Sequence, residues 1–274
     1  MRVAMRRAAH QLFDTPLVLV DPIAVPIIGK EAAAQVQAER HRLGQRVARA
    51  IRAFMAVRSR YAEDQLALAV ARGTTQYVVL GAGLDTFAYR SPYNEAALRV
   101  FEVDYPATQE WKRRKLAAAR IPIPPSVTYA PVDFERQTLA EGLRTVGFDE
   151  SKATFFSWLG VTMYLTEEAI DSTLRFVAST PAGGGIAFDY AVPRASLNWV
   201  GKLALDAMSR RVAAAGEPFQ TFFNPAALAE KLTRMGFRSV EDLGGEQLTA
   251  RYFKDRADGL RVASSLGHLI SAQL

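Results

Sequence analysis

The stretch "YVVLGAGLDTFAYR", Tyr77 to Arg90, decides the fold of this chain. Four mostly apolar residues run straight into Gly-Ala-Gly, and an acid, Asp85, follows at once. The first part reads as a buried strand. The second reads as a turn almost without side chains, where unusual φ angles and a close approach to the backbone are both allowed.

Outward from this stretch, short β-rich runs alternate with helical ones. Strands are predicted at 76–81, 98–104, 126–133, 153–160 and 184–191, with helices near 106–119, 135–146 and 166–179. That alternation argues for a parallel sheet covered on both faces. "FRSVEDL" (237–243) and "QLTARYF" (247–253) are two further strand candidates with a short turn between them, an antiparallel finish. The expected fold is α/β, a doubly wound, mostly parallel seven-stranded sheet.

The first 75 residues read as a helical cap, and 76–274 as the main domain. Asp21-Pro22 starts a short helix. Glu39 to Arg72 reads as one long amphipathic helix ended by Gly73, with Leu43, Val47, Ile51, Phe54 and Met55 on one face. Residues 194–216 form an alanine-rich helical insertion after the fifth strand. The segment 194–223 is a candidate lid, since it leaves that strand at its carboxyl end.

The chain has no cysteine, which excludes disulfides, zinc-thiolate sites and cysteine nucleophiles and fits a cytoplasmic setting. No apolar run approaches the ~20 residues of a membrane span, and the basic N-terminus lacks the apolar stretch of a signal peptide. A net charge of +6 permits nucleic-acid binding, but the positive residues are spread out. The densest basic stretch, 40–61, reads as a solvated helix face. Neither a nucleic-acid nor a membrane partner is expected, nor a metal site.

In an open parallel sheet, ligands sit beyond the carboxyl ends of the strands at the switch point. A helix after Gly81-Ala82-Gly83 would offer its N–H groups there. A dinucleotide fingerprint needs a third glycine at position 86. That residue is Thr86, and a P-loop Gly-Lys-Thr is absent. A nucleoside without phosphate, or an amino acid, remains. Asp104 ends "FEVD" and is placed to accept both hydroxyls of a ribose; its bland alternative is a helix cap before Pro106. Glu102 lies two residues earlier on the same face. Asp133 suits an adenine amine and Phe134 its ring; the alternative is again a strand-to-helix cap.

These residues carry a resemblance. Together "RAAHQLFDTPLVLVDPIA" (7–24), "RSRYAEDQLALAV" (58–70), "VVLGAGLDTFAYR" (78–90), "FEVDYPATQEWKR" (101–113), "GVTMYLTEEAI" (160–170) and "GFRSVEDLG" (236–244) resemble the leucine carboxyl methyltransferase-like S-adenosylmethionine-dependent methyltransferases. That group includes bacterial O-methyltransferases of natural-product pathways. The resemblance implies a Rossmann-like class I methyltransferase fold and a donor site. In it Arg58, or Arg60 as the alternate, holds the donor's carboxylate. Gly81 and Gly83 pass under the methionyl part, with Asp85 beside it. Asp104 takes the ribose, and Asp133 and Phe134 the adenine. The group usually has an acid just before "GVTMYL" to meet the donor's amino group, and here that position is Leu159. Asp85 or a backbone carbonyl of the glycine turn is left for that role.

Methyl transfer to oxygen needs a base when the acceptor is a phenol or alcohol, and none when it is a carboxylate. The chain has three histidines. His41 lies on the basic helix and His268 in the tail, so neither is expected to be catalytic. His10 lies in the N-terminal helix, which in the resembled group packs near the acceptor. With Tyr164, Tyr190 and Asp189 as the other base candidates, the scarcity of bases points toward a carboxylate and an ester product. The expectation is an O-methyltransferase for a small-molecule carboxylate or phenol. Its competitors are a protein C-terminal carboxyl methyltransferase, a nicotinamide-dependent oxidoreductase, which Thr86 argues against, and a non-catalytic nucleoside-binding module.

Overall fold

The computed structural model describes all residues except Glu135, Ala215, Glu217 and 263–265, and all side chains of the described residues except those of Val200 and Arg211. Five helices come first: α1 (Arg2–Phe13), α2 (Ala24–Ile28), α3 (Lys30–Ala38), α4 (Arg40–Leu43) and α5 (Arg46–Ala71). There follow β1 (Gln76–Leu80), β2 (Arg99–Asp104), α6 (Pro106–Ala118), β3 (Val127–Pro131), α7 (Leu139–Thr145), β4 (Thr154–Trp158), α8 (Glu167–Ala178) and β5 (Gly185–Ala191). The chain closes with α9 (Trp199–Ala213), α10 (Pro225–Arg234), β6 (Ser239–Leu243), α11 (Gly245–Tyr252) and β7 (Gly267–Gln273).

The seven strands form one sheet in the order β3-β2-β1-β4-β5-β7-β6. The first five are parallel; β7 runs antiparallel between β5 and β6. The strand order reverses between β1 and β4, so their carboxyl ends flank the switch-point crevice. Successive residues of a strand point to opposite faces. Val78 and Leu80 join Phe156, Phe188, Leu174 and Leu228 in the core under α8 and α10. Tyr77 and Val79 join Val57, Tyr61 and Leu66 of α5 in the core on the other face. Burial on both faces accounts for the near-continuous apolar strands. A third cluster ties α1, α2 and α3 to Leu84 and to Leu116 of α6.

Four expectations change. "QLTARYF" is not a strand: all of it but Phe253, the residue after the helix, belongs to α11, with Leu248 buried and Tyr252 one turn on. The seventh strand is the chain's tail, which pairs with β5 from Gly185↔Gln273 to Ala191↔Gly267. The basic helix does not run unbroken from Glu39: α4 ends at Leu43, before Gly44, and α5 starts anew after Gln45. Its buried face is also rotated from the expected one. Val47 is 71% exposed, while Arg52 and Arg58 are turned inward with Ala53, Val57 and Tyr61. Finally, no α-helix follows the glycine turn, only a 3-10 turn at Phe87–Tyr89.

Candidate active site

The two glycines of the turn are glycine for different reasons. Gly81 has φ +65°, and a Cβ there would lie 2.5 Å from Val161 Cγ2, so the missing side chain makes room for the segment after β4. Gly83 has φ +41°, and a Cβ there would meet only Gly81 O, at 3.8 Å. The free space that a ligand can use lies at Gly83. Its N–H donates to Asp104 Oδ2 at 2.6 Å, and Tyr105 N–H donates to Asp104 Oδ1 at 2.7 Å. Asp104 therefore fastens the turn to the end of β2 and does not cap α6, whose first turn carries no side-chain cap. A carboxylate has about four acceptor positions, so capacity for hydroxyls remains.

Asp133 likewise leaves helix capping to others. α7 is closed by a capping box in which Thr138 accepts from Glu141 N–H and the Glu141 carboxylate accepts from Thr138 N–H. That box also starts α7 four residues later than expected. Beside Asp133, Phe134 is 60% exposed, and Tyr105, after Asp104 on the neighbouring strand, is 54% exposed. Exposed rings of this size at adjacent strand ends offer stacking faces to a planar ligand. Tyr105 was not singled out from the sequence, and its place after a strand-ending acid, like that of Phe134, was the available signal.

Arg58 and Arg60 part company. Two residues along a helix are about 200° apart. Arg58 reaches inward, and Nη1 donates to Asp189 Oδ2 at 3.0 Å with both side chains buried. Arg60 is half-exposed and pairs with Asp64 at 2.8 Å, away from the crevice. The other Asp189 oxygen accepts from Gly160 N–H at the end of β4. Gly160 has φ +76°, and a Cβ there would be 2.8 Å from Arg58 Nη1. The guanidinium thus lies directly against the strand end. Leu159 packs into the α5-side core. The carboxylate at this point of the crevice comes from β5, one strand across.

Asp85 is held by its own surroundings. It accepts from Phe87 N–H at 2.9 Å and lies 3.5 Å from Arg7 Nη1. Burial works against its charge, but Arg7, Lys112 and the Phe87 N–H outweigh burial and hold its carboxyl below the usual range. Arg7 also donates to Leu84 O. Thr86, the residue that breaks the dinucleotide fingerprint, donates its hydroxyl to buried Asp21 at 2.6 Å. The turn is therefore clamped to the N-terminal helices.

Three expected site residues are structural here. Glu102 is fully buried and bonded to Lys112 Nζ at 2.8 Å and Tyr89 Oη at 2.9 Å, with its carboxyl raised by burial despite the lysine. It meets these partners, not the crevice. His10 is also fully buried. Its Nε2 accepts from Val18 and Leu19 N–H groups, which leaves Nδ1–H to donate to Asp14 Oδ2 at 2.8 Å. Both nitrogens are committed, so His10 has none to offer as a base. Tyr190 donates its hydroxyl to Asp242 Oδ2, and burial together with that carboxylate raises its pKa well above the phenol range. Tyr190 is therefore a poor base.

On the acceptor side, the segment after α9 lies across the loop after β4. Gln220 and Thr221 bond to Met163, Tyr164 and Leu165 carbonyls, and Phe223 N–H bonds to Ala191 O. The rings of Tyr164, Phe219 and Phe222 pack in sequence, and Phe223 packs on Tyr190. Trp158 belongs to the core, and Trp199 faces outward. Among the described residues, no group of acids and histidines could hold a metal ion. Nor is any described helix long and apolar enough to cross a membrane.

Comparison with known proteins identifies the family and the fold. Residues 1–178 match the family described as leucine carboxyl methyltransferase. A Bacillus subtilis (strain 168) protein, YktD, named for S-adenosyl-L-methionine-dependent methyl transfer, is 33% identical over 287 residues, covering 97% of this chain and 94% of its own length. A similarly named protein of Mycolicibacterium vanbaalenii is 37% identical over 139 residues, covering 50% of this chain and 45% of its own length. The fold is shared with a DUF574 family protein of Streptomyces avermitilis, at a TM-score of 0.60 and 17% identity over 100% of this chain and 97% of that one. The chain is a member of the leucine carboxyl methyltransferase family and an S-adenosyl-L-methionine-dependent methyltransferase.

Proposed function

We propose that this enzyme is an O-methyltransferase whose acceptor is a small molecule, a carboxylate or phenol of a natural-product pathway, in the cytoplasm. The observation that carries this reading is the aromatic cover bound to the loop after β4. Tyr164, Phe219, Phe222 and Phe223 stand over the ends of β4 and β5, where an acceptor must come to reach a donor lying at the switch point. A cover of apolar rings over these strand ends suits a small acceptor better than a protein C-terminus. It also excludes water.

S-Adenosyl-L-methionine supplies a methyl group on a sulfonium sulfur. The residues present fit it. Asp104 keeps acceptor capacity for the ribose hydroxyls, and Phe134 and Tyr105 flank the place for the adenine. The space at Gly83 admits the methionyl chain. Arg58 takes the donor's carboxylate, and Asp189 takes its amino group, the role that Leu159 cannot fill. In this arrangement the chain's work is to hold donor and acceptor in line, at about 3 Å between reacting atoms.

The test has two stages. Thermal melting with S-adenosylmethionine, S-adenosylhomocysteine and NAD comes first, since a ligand that prefers the folded state raises the midpoint. Stabilisation by NAD alone rejects the reading. A screen of acids and phenols with labelled donor follows, with product masses and mild base hydrolysis to separate esters from ethers. Products methylated on nitrogen alone would also reject it.

A further inference from the structure

The sheet's far edge carries a group of side chains that the donor site does not use. His268, at the start of β7, lies opposite Tyr190 of β5, with ring centroids 5.5 Å apart. Its Nδ1 is 2.5 Å from Asp242 Oδ1 of β6, and Asp242 Oδ2 accepts the Tyr190 hydroxyl. β5 and β6 end where β7 begins, so all three side chains stand at the carboxyl edge of the sheet, which is also the edge of the crevice. Tyr190, His268 and Asp242 stand one, two and three strands from β4, which puts His268 about 10 Å from that strand, and Tyr190 touches Phe223 of the aromatic cover.

The hydrogen bonding sets the chemistry of the imidazole. A carboxylate can only accept, so Nδ1 carries a proton, and in the neutral ring the lone pair is on Nε2. The ring is 17% exposed, unlike that of His10. Gly244, after β6, lies beside the Nε2 edge of the ring, where only a residue without a side chain fits. Its φ is −82°, which any residue adopts, yet a Cβ there would lie 3.0 Å from Nε2 and Cε1. The groups facing the ring are Tyr190 from β5, Asp242 from β6 and, across Gly244, the neutral amide of Gln247 from α11. Asp242 is the charged one bonded to it.

We propose that His268 is the general base of this enzyme and that its acceptor is therefore a hydroxyl compound, a phenol or an alcohol. This rests on the methyl-transfer reading above and narrows its acceptor. As the new oxygen–carbon bond forms, the hydroxyl proton passes to His268 Nε2. The sulfur–methyl bond breaks with both electrons left on sulfur, giving a neutral thioether. The imidazolium is held by Asp242 and then releases its proton to solvent. Asp242 is a positioning residue: by accepting from Nδ1–H it fixes the ring's orientation and, in the neutral ring, keeps the lone pair on Nε2. A carboxylate acceptor is already ionised and would need none of this.

The experiment compares the intact enzyme with His268→Gln and Asp242→Asn, using phenols, alcohols and benzoates of matched ring skeletons with labelled donor. Donor affinity by calorimetry is measured on each variant to show that it is folded. The expected result is ether formation by the wild type, falling about 100-fold or more in His268→Gln with donor affinity unchanged within about threefold. The acid limb of the pH–rate profile, which reports protonation of the imidazole, should vanish in that variant. Asp242→Asn should lower kcat with little change in KM. Ether formation at the parental rate and pH profile in His268→Gln would overturn the proposal. So would ester formation from benzoates alone, or a donor-bound enzyme that yields no ether from any hydroxyl compound. Failure of the wild type to bind the donor would instead reject the methyl-transfer reading beneath it.

Discussion

Arg58 and Asp189, 131 residues apart in sequence, form a buried ion pair at the switch point, 3.0 Å from Nη1 to Oδ2. The pair joins α5 to β5, and Gly160 at the end of β4 completes it with an N–H to the second oxygen. A zwitterion laid across it finds both signs of charge already in place.

Asp189→Ala leaves a buried guanidinium without its counter-charge. The expected loss is ~3 kcal/mol of stability, with at least a tenfold fall in donor affinity. Asp189→Asn keeps an acceptor for the Gly160 N–H and should lose less of both. Urea denaturation and calorimetry measure the two effects separately. A variant as stable and as tight-binding as the parent would remove the pair from both roles.

Asp104→Ala is expected to weaken donor binding by ~1–3 kcal/mol, because the ribose hydroxyls lose a charged acceptor. The same change frees Gly83 N–H, so part of the loss reflects a looser turn. Asp104→Asn separates these contributions: its amide oxygen can still accept from Gly83, but the charge is gone. Calorimetry on the three proteins should rank them parent, Asn, Ala. Equal affinities would take Asp104 out of the site.

The sheet was legible wherever a strand is buried on both faces and followed by a turn, from "YVVLGAG" to "GGIAFDYA". It was not legible at its antiparallel end. "GHLISAQ" looks like an ordinary tail until β5 is there to pair with it, and "QLTARYF" alternates enough to imitate a strand while one helical face meets the core. The site shows the same division. Asp104, Gly83 and Phe134 follow strand ends in sequence, so position alone marked them. Asp189 and His268 are defined by partners on other elements, α5 for the one and β6 for the other, and no spacing in the chain announces such partners. Conversely, Glu102 and His10 have the right residue type near the right place, but each finds a nearer buried partner.

The glycine turn allows a test that separates folding from binding. Gly81→Ala places a Cβ against Val161 at a positive φ, so a loss of ~1–3 kcal/mol in stability is expected. Val161→Ala in the same chain should restore only the steric part. Gly83→Val points its side chain into the open space proposed for the donor's methionyl chain. It is expected to lose donor binding, with a smaller loss of stability set by its φ of +41°. Melting midpoints with and without S-adenosylhomocysteine read both. A Gly83→Val protein with a normal ligand-induced shift would mean that the donor does not pass this turn.

Asp14 makes the acid sensitivity of the N-terminal cap predictable. Burial alone would raise its pKa, but the two bonds from Arg52, 2.7 Å each, and the bond from His10 more than reverse this and hold it at about 2. A carboxyl depressed by folding stabilises the protein above its unfolded pKa, and that contribution disappears as pH falls through the folded value. The contribution is ~2 kcal/mol at neutral pH, lost between about pH 4 and pH 2. Asp14→Asn should be less stable at pH 7, and its stability should change less over that acid interval than the parent's. Urea midpoints measured from pH 7 to pH 2 check this. Parallel curves for the two proteins would show that Asp14 is not the group whose protonation loosens α1 from α5.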